Sequence, residues 1–134
     1  IPVCAEGLQD ALAALAAAAG RDSKVAISTD FSGSVPTLSD EVATHLYRIA
    51  QEALNNALRH ASASRVVIRL VSTPLACELH VEDDGIGCPA ISKANPGVGL
   101  RLMEHRCWLG GGHLEMSSAG MGGTRVACVV PASL

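Results

Sequence analysis

Apolar residues recur with a helical period in three parts of the chain. Residues 11–19 are all alanine or leucine and predict a helix that ends at Gly20, because glycine commonly follows the last turn of a helix. Residues 40–61 carry acids in the first turn and apolar side chains at helical spacing, which predicts a longer second helix. Residues 100–109 predict a third, closed by the glycines at 110–112.

Alternating apolar and polar residues predict five strands, at 24–30, 65–71, 77–83, 113–118 and 124–131. The turn-rich Ser72-Thr73-Pro74 between the second and third strands favours an antiparallel hairpin. The order is therefore α-β-α-β-β-α-β-β. Hairpins in place of regular βαβ alternation predict an α+β sandwich, in which helices cover one face of a mixed sheet.

Length and charge narrow the class of protein. A chain of 134 residues with 49% apolar content is expected to form one domain, residues 1–134, with a real core. The net charge is -3, and the sequence has no cluster of Lys or Arg that would form a basic binding surface. Binding to nucleic acid or to an anionic membrane is therefore not expected. No apolar run approaches the ~20 residues of a membrane span, and the start lacks the features of a signal peptide. We therefore expect a soluble, cytoplasmic domain. Because residue 1 is Ile and not an initiator Met, we also expect the chain to be a piece of a longer protein.

The five cysteines are odd in number and widely scattered, at positions 4, 77, 88, 107 and 128. None forms a CxxC pair, so the sequence suggests neither a disulfide framework nor a zinc site. We expect reduced thiols.

The second predicted helix carries a polar stripe beside its apolar face. Glu52, Asn56, Arg59 and His60 lie at i, i+4, i+7 and i+8. A solvated helix face is the simpler interpretation of such a stripe. Two successive asparagines in QEALNNALRH are nevertheless poor helix residues, which indicates that a side-chain amide is required there.

The third predicted strand runs into acids and spaced glycines, Asp83-Asp84-Gly85-Ile-Gly87. Glycine backbone can come close to a ligand and offer free N–H groups to anions, which favours a nucleotide. A P-loop is excluded because both lysines of the chain follow serine and not a GxxxxG stretch. A dinucleotide-binding fingerprint fits poorly, since acids would face the pyrophosphate and no βαβ unit follows. A glycine-rich hairpin turn remains the structural alternative.

The combination of motifs is more specific than any one of them. ExxxN on a helix, DxGxG after a strand, Gly97-Val98-Gly99-Leu100 opening a helix and Gly122-Gly-Thr124 before a strand follow in that order. Together they resemble the ATP-binding catalytic domain of sensor histidine kinases, in the GHKL superfamily. The stretches HLYRIAQEALNNALRHASASRVVIRL and GVGLRLMEHRCWLGGGHLEMSSAGMGGTRVACVVP are most similar to the nitrate-sensor subfamily. The resemblance covers roughly residues 7–131 and implies a two-layer, Bergerat-type α/β sandwich.

The resemblance also implies a role for each matching position at the adenine and phosphates. Asp83 would accept a hydrogen bond from the adenine amine, Gly85 and Gly87 would let the chain turn beneath the base, and Thr124 would lie near the adenine end. The N-terminus of the third helix would meet the phosphates, with Gly97, Val98, Gly99 and Leu100 lining them. Residues 84–96 would form the ATP lid, in which Cys88 is an incidental cysteine.

Further roles fall on the second helix. Asn56 matches the position whose amide oxygen holds Mg²⁺ against the phosphates. Arg59 and His60 would contact phosphate or nucleotide, and Glu52 would polarise a nucleophile or a metal-bound water. At Leu102 and at Glu104-His105 the sequence differs from that of many relatives. These differences bear on the expected contacts of the ATP lid and of the phosphates.

The function implied is transfer of the γ-phosphoryl group of ATP to a histidine on a dimerising helical hairpin of the full-length homodimer. A response regulator would then collect the group. This chain alone would bind ATP and ADP without phosphorylating itself. The alternatives are a serine kinase of the anti-sigma-factor type and an ATPase of the DNA-topology or chaperone type. His45, His80, His105 and His113 lack the spacing of metal ligands.

Overall fold

The helices and strands follow the order that the sequence predicts. The structure is a computed structural model, and it describes residues 4–33, 37–60, 62–85, 97–120 and 122–132. A short 3-10 turn at Ala5–Gly7 precedes the first helix. The three helices and five strands are α1 (Leu8–Asp22), β1 (Ala26–Ser32), α2 (Asp40–His60), β2 (Arg65–Ser72), β3 (Ala76–Asp83), α3 (Gly97–Leu109), β4 (His113–Ser118) and β5 (Thr124–Pro131).

The strands form one mixed sheet in the order β1-β2-β3-β5-β4. β1 and β2 are parallel and are joined through α2, whereas the other three pairings are antiparallel. The predicted hairpin of β2 and β3 is confirmed, as is that of β4 and β5. The register sets Val66 opposite Asp83 and Glu82 opposite Arg125, so the acidic end of β3 lies between two neighbouring strands.

All three helices lie on one face of the sheet, where the core forms. Alternate residues of the central strands point into it and meet the apolar stripes of the helices. Burying each large aliphatic side chain contributes about 1.5–3 kcal/mol. The largest fully buried side chains are Leu8, Leu12, Leu46, Ile49, Leu54, Ile68, Leu70, Leu79, Met103, Val66, Val130 and Cys77. The predicted α+β sandwich, with helices on one face of a mixed sheet, is confirmed.

Two predicted elements, α1 and β1, have boundaries that are wrong by two residues. α1 does not stop at Gly20 but continues to Asp22, and the Ser23 hydroxyl donates a 3.0 Å hydrogen bond to the carbonyl of Ala19 in the last turn. An interior glycine costs a helix only about 1 kcal/mol, which packing against the sheet outweighs. β1 begins and ends two residues later than predicted, because parallel pairing with β2 from Ala26 to Ser32 sets its limits.

The end of α3 matches its prediction. The backbone N–H of Gly111 donates to the carbonyl of Trp108 at 2.9 Å, and Gly111 itself has φ of +82°. This left-handed conformation closes a helix readily only with glycine. Among the described residues, no helix is both long and apolar enough to cross a membrane.

The expectation that every cysteine is a reduced thiol is wrong for two of them. Cys107 of α3 and Cys128 of β5 form a disulfide, and both are fully buried. They lie 21 residues apart in sequence, so no short spacing motif could predict the pair. Packing of α3 against β5 brings them together. Cys4 and Cys77 are free, as expected, and Cys88 lies outside the described residues.

Candidate nucleotide-binding site

Asp83, the last residue of β3, is a buried carboxylate with one oxygen occupied and one available. Its relative exposure is only 6%. Oδ1 accepts hydrogen bonds from the backbone N–H of Gly85 at 2.9 Å and of Thr124 at 3.4 Å. Within the described part of the chain, no hydrogen bond reaches Oδ2. The backbone thus fixes the direction of this carboxylate and leaves one acceptor oxygen for a ligand.

The GGT turn approaches Asp83 from the next strand. A Cβ added at Gly123 would lie 2.2 Å from the Asp83 carbonyl oxygen and 2.4 Å from Oδ1, distances that no side chain tolerates. Thr124, which is also buried, opens β5 directly beside the carboxylate. The structure therefore brings Asp83, Gly85 and Thr124 together, which sequence reasoning expected of all three.

Asp84 has a different task from its neighbour. Oδ1 accepts from the backbone N–H of Ser64 at 2.8 Å and of Arg65 at 2.9 Å, while Oδ2 accepts from the Ser64 hydroxyl at 2.6 Å. The Ser64 hydroxyl and these backbone donors hold the pKa of Asp84 at about 2, below its ordinary value. Ser64 follows the end of α2 by four residues, so this clamp joins the C-terminal end of α2 to the end of β3. Sequence reasoning gave Asp84 no such role.

A line of charges supports β3 on the sheet face that the helices leave open. Glu82 is buried and accepts hydrogen bonds from Arg69 of β2 and from Arg125 of β5, whose Nε and Nη2 both lie 3.2 Å from Oε1. Arg69 also pairs with Asp30 of β1. Burial raises the pKa of Glu82, but the hydrogen bonds from the two arginines outweigh it, and the net pKa lies below its usual value. This network ties four strands together beneath Asp83.

The polar stripe of α2 faces partly outward, as predicted. Glu52 and Asn56 are half-buried, and Arg59 is exposed. No hydrogen bond occupies the Asn56 side chain within the described residues, so its amide oxygen is available to a ligand. His60 ends α2, and its side chain is not among those described.

A cavity of about 220 Å³ lies between α2 and α3. It is lined by Arg48, Gln51, Glu52, Asn55, Leu102, Met103 and Arg106. Of these residues, the sequence had drawn attention to Glu52, to Asn55 as one of two successive asparagines, and to Leu102. The sequence pattern gave little indication of the others. Arg48 extends the polar stripe of α2 by one turn, whereas Arg106 becomes its neighbour only because α3 packs on α2.

α3 begins at Gly97, so the predicted opening of a helix by the GVGL run is confirmed. The Leu100 side chain is 4% exposed and packs in the core, which leaves only its backbone to meet a ligand. Gly87 and residues 86–96 of the predicted lid lie outside the described residues. Of the departures from many relatives, Leu102 is 48% exposed and His105 stacks on the exposed Trp108, with ring centroids 6.1 Å apart.

The donor set of this site fits a magnesium ion held chiefly by its substrate. Among the described residues, no group of three His, Cys, Asp or Glu side chains could hold a metal ion. A free amide oxygen, as on Asn56, is a hard ligand, and Mg²⁺ usually takes one or two protein oxygens together with phosphates and waters. The residues present therefore fit Mg²⁺ arriving with a nucleotide.

Comparison with known proteins points in one direction. Residues 41–134 match the family described as histidine kinase-, DNA gyrase B-, and HSP90-like ATPase. The sensor histidine kinase MctS of Rhizobium johnstonii is 36% identical over 130 residues, which are 95% of this chain and 28% of MctS. The nitrate/nitrite sensor protein NarX of Escherichia coli is 36% identical over 84 residues, which are 63% of this chain and 14% of NarX. The chain thus spans less than a third of either relative.

Solved structures share the fold. The ATP binding domain of PrrB from Mycobacterium tuberculosis superposes with a TM-score of 0.79 at 23% identity, covering 100% of this chain and 98% of that one. The blue-light activated histidine kinase EL346 of Erythrobacter litoralis gives a TM-score of 0.70 at 28% identity, covering 99% of this chain and 42% of the kinase.

Proposed function

The chain belongs to the family of histidine kinase-, DNA gyrase B- and HSP90-like ATPases, as an ATP-binding domain of the sensor histidine kinase type, and from this premise we propose what it does in the whole protein. It binds Mg²⁺-ATP and donates the γ-phosphoryl group to a histidine on a dimerising helical hairpin. A response regulator then takes the group from that histidine. Residues 1–134 act as one catalytic domain, in the cytoplasm where ATP is supplied.

One observation supports adenine as the base. Asp83 is buried, its Oδ1 is held by two backbone N–H groups, and Oδ2 has no hydrogen bond within the described residues. A fixed carboxylate oxygen accepts from the exocyclic amine of adenine, whereas guanine would present a carbonyl oxygen to it. Thr124 and Gly85, whose backbone N–H groups hold the other oxygen, Oδ1, line the adenine end of the site.

The phosphates extend from the base toward α2 and α3. The N-terminus of α3 carries Gly97, Val98 and Gly99, and the free N–H groups and dipole of a helix N-terminus favour anions. Leu100 contributes its backbone and Gly87 its lack of a side chain. Arg59 and His60, at the end of α2, contact phosphate or nucleotide.

Mg²⁺, when bound through Asn56, supplies neutralisation of charge on the phosphates. Glu52 lies one turn before Asn56 on the same stripe and orients the incoming nucleophile. The residues of the chain itself bind the nucleotide, orient the reacting groups and screen the charge of the phosphates. Phosphoryl transfer requires little else, because catalysis of this kind is mainly positioning and electrostatic stabilisation.

Nucleotide binding by an Asp83→Asn variant tests this proposal. The amide would turn a donor toward the adenine amine while keeping an oxygen for the backbone. Loss of one charged hydrogen bond costs about 1.5–3 kcal/mol, so ADP affinity should fall tenfold or more in calorimetry. Wild type should also prefer ADP to GDP. Equal affinity of wild type and variant would remove Asp83 from the site.

An Asn56→Asp variant serves as the matched comparison at the phosphate end. The change is nearly isosteric and lies outside the adenine contact, but it places a negative charge beside the phosphates. It should therefore change the Mg²⁺ dependence of ADP binding and weaken binding without Mg²⁺, while the midpoint of thermal unfolding stays at the wild-type value. An unchanged Mg²⁺ dependence would remove Asn56 from the metal site.

A further inference from the structure

Two arginines and one glutamate line the cavity between α2 and α3, so its charged side chains carry a net positive charge. Arg48 and Arg106 enter it from the two helices, and both are half-buried. In the described part of the chain, neither forms an ion pair. Arg48 donates from Nη1 to the Gln51 side-chain oxygen at 3.0 Å. Arg69 and Arg125, by contrast, are both paired with Glu82.

Two half-buried guanidinium groups beside one cavity favour an anionic occupant. A guanidinium that has lost part of its water regains stability from a carboxylate or phosphate oxygen, to which it offers paired N–H donors. The cavity is about 220 Å³, which accommodates one side chain of a partner. Its occupant is therefore a small acidic group.

The other residues that line the cavity indicate which kind of partner segment carries this acidic group. Met103 is buried at the base of the cavity, and Leu102 is 48% exposed at its edge, so an apolar residue of the partner would be covered next to the acid. Glu52 lies in the same wall, one turn after Arg48. A helix with an acidic residue and an apolar residue on one face satisfies both features.

We propose that this cavity receives a carboxylate side chain of the phosphoacceptor helix, held between Arg48 and Arg106, so that the acceptor histidine arrives beside Glu52. The inference rests on the proposed function and deepens it. Arg48 and Arg106 are positioning residues: they touch neither nucleotide nor the transferred group. They set the register of the incoming helix, because in-line transfer needs the nucleophile about 3 Å from phosphorus.

Variants of the full-length protein test the proposal. Arg48→Gln and Arg106→Gln should each slow phosphorylation of the acceptor histidine about tenfold, since each removes a charged hydrogen bond made only in the docked state. ADP affinity and the midpoint of thermal unfolding should stay at wild-type values. Arg21→Gln, which removes an exposed charge at the end of α1, is the control and should change nothing.

A binding measurement separates this inference from the proposed function. The isolated phosphoacceptor hairpin, labelled with a fluorophore, should bind this domain with an affinity that falls about tenfold in each arginine variant. Replacing the hairpin's acidic residue by arginine should restore binding to an Arg106→Glu domain. If the hairpin binds in this way but wild type transfers no phosphoryl group, the proposed function fails and the docking site stands.

Three results would overturn the docking site. Normal phosphorylation and hairpin binding in both arginine variants would show that the cavity is not used. A parallel loss of ADP affinity would assign the arginines to the nucleotide. Normal phosphorylation with slower transfer to the response regulator would assign the cavity to that protein.

Discussion

Two adjacent aspartates at the end of β3 have separate tasks, and their surroundings decide which does what. Asp83 is buried and keeps one oxygen free for a ligand, whereas Asp84 uses both oxygens on Ser64 and Arg65. The second carboxylate therefore stabilises the end of the strand from which the first one acts.

Asp84 should make stability depend on pH in the acidic range. Its pKa is about 2 in the folded chain and about 3.9 in an unfolded one. The ionised form is thus favoured by folding, and its contribution is full above about pH 4 and is lost as the pH falls toward 2. Asp84→Asn should lower the midpoint of thermal unfolding at pH 7, and the difference from wild type should shrink between pH 5 and 2.

The matched control is Asp22→Asn, an exposed acid at the end of α1. Its unfolding midpoint at pH 7 should lie close to that of wild type. A gap between Asp84→Asn and wild type that stays constant from pH 7 to 2 would mean that the charge of Asp84 does not stabilise the fold.

Gly123 should tolerate no side chain. A methyl group would lie 2.2 Å from the carbonyl oxygen of Asp83, so either β5 or the end of β3 must shift. Overpacking of this kind costs on the order of 1–3 kcal/mol. Gly123→Ala should lower the free energy of unfolding by that amount and weaken ADP binding as well, because the shift turns the Asp83 carboxylate.

Gly120→Ala provides the comparison, since a Cβ there would meet nothing within 4 Å. Chemical denaturation of the two variants gives their free energies of unfolding, and calorimetry gives their ADP affinities. A loss confined to Gly123→Ala would show that the effect comes from the close contact with Asp83 and not from adding a methyl group to this turn. Equal stability of the two variants would contradict the close approach.

At the scale of elements, one covalent bond fixes how α3 lies on the sheet. The Cys107–Cys128 disulfide joins α3 to β5 from within the core. α3 begins with the glycines assigned to phosphate and β5 begins with Thr124, so the bond connects two elements that both reach the site.

Removing this disulfide should destabilise the fold measurably. A bridge between residues 21 apart constrains the unfolded chain by about 3 kcal/mol. Cys107→Ala should lower the free energy of unfolding by roughly that amount under oxidising conditions, whereas Cys4→Ser, at an exposed free thiol, should leave it unchanged. Thiol labelling of the denatured wild type should detect two more thiols after reduction. Labelling that is the same before and after reduction would show that the bond is not formed.

At the scale of the whole molecule, the chain should bind ATP but not phosphorylate itself. His80 lies on the sheet face away from the helices, 3.2 Å from Glu78, and His113 is 3.3 Å from Glu115 on the edge strand. His45 precedes Asn56 by eleven residues, roughly 16 Å along α2. None of these three can stand in line behind a phosphate held near Asn56.

Radiolabelled ATP with Mg²⁺ should accordingly leave the chain unlabelled. Adding the phosphoacceptor hairpin in trans should produce acid-labile label on the hairpin. Acid-labile label on this chain would contradict the prediction. Acid-stable label on a serine of another protein would instead support a serine kinase.

Sequence alone predicted most of the fold, and its resemblance to a known family implied the chemistry of the site. The periods of 3.6 and 2 report which side of each element meets the core, and they located α2, the β2–β3 hairpin and the β4–β5 hairpin nearly to the residue. The order of the motifs around Asn56, Asp83, Gly97 and Thr124 indicated an ATP site because together they resemble a known family.

Only the tertiary structure decided which distant residues meet. The Asp84 clamp on Ser64, the Cys107–Cys128 bond and the cavity between Arg48 and Arg106 each join parts of the chain that no local pattern connects. Such contacts depend on strand register and on how α3 packs against α2 and β5, and these follow from the packing of the whole core. A pattern along the chain reports the direction in which a side chain points, whereas its partner is set by the fold.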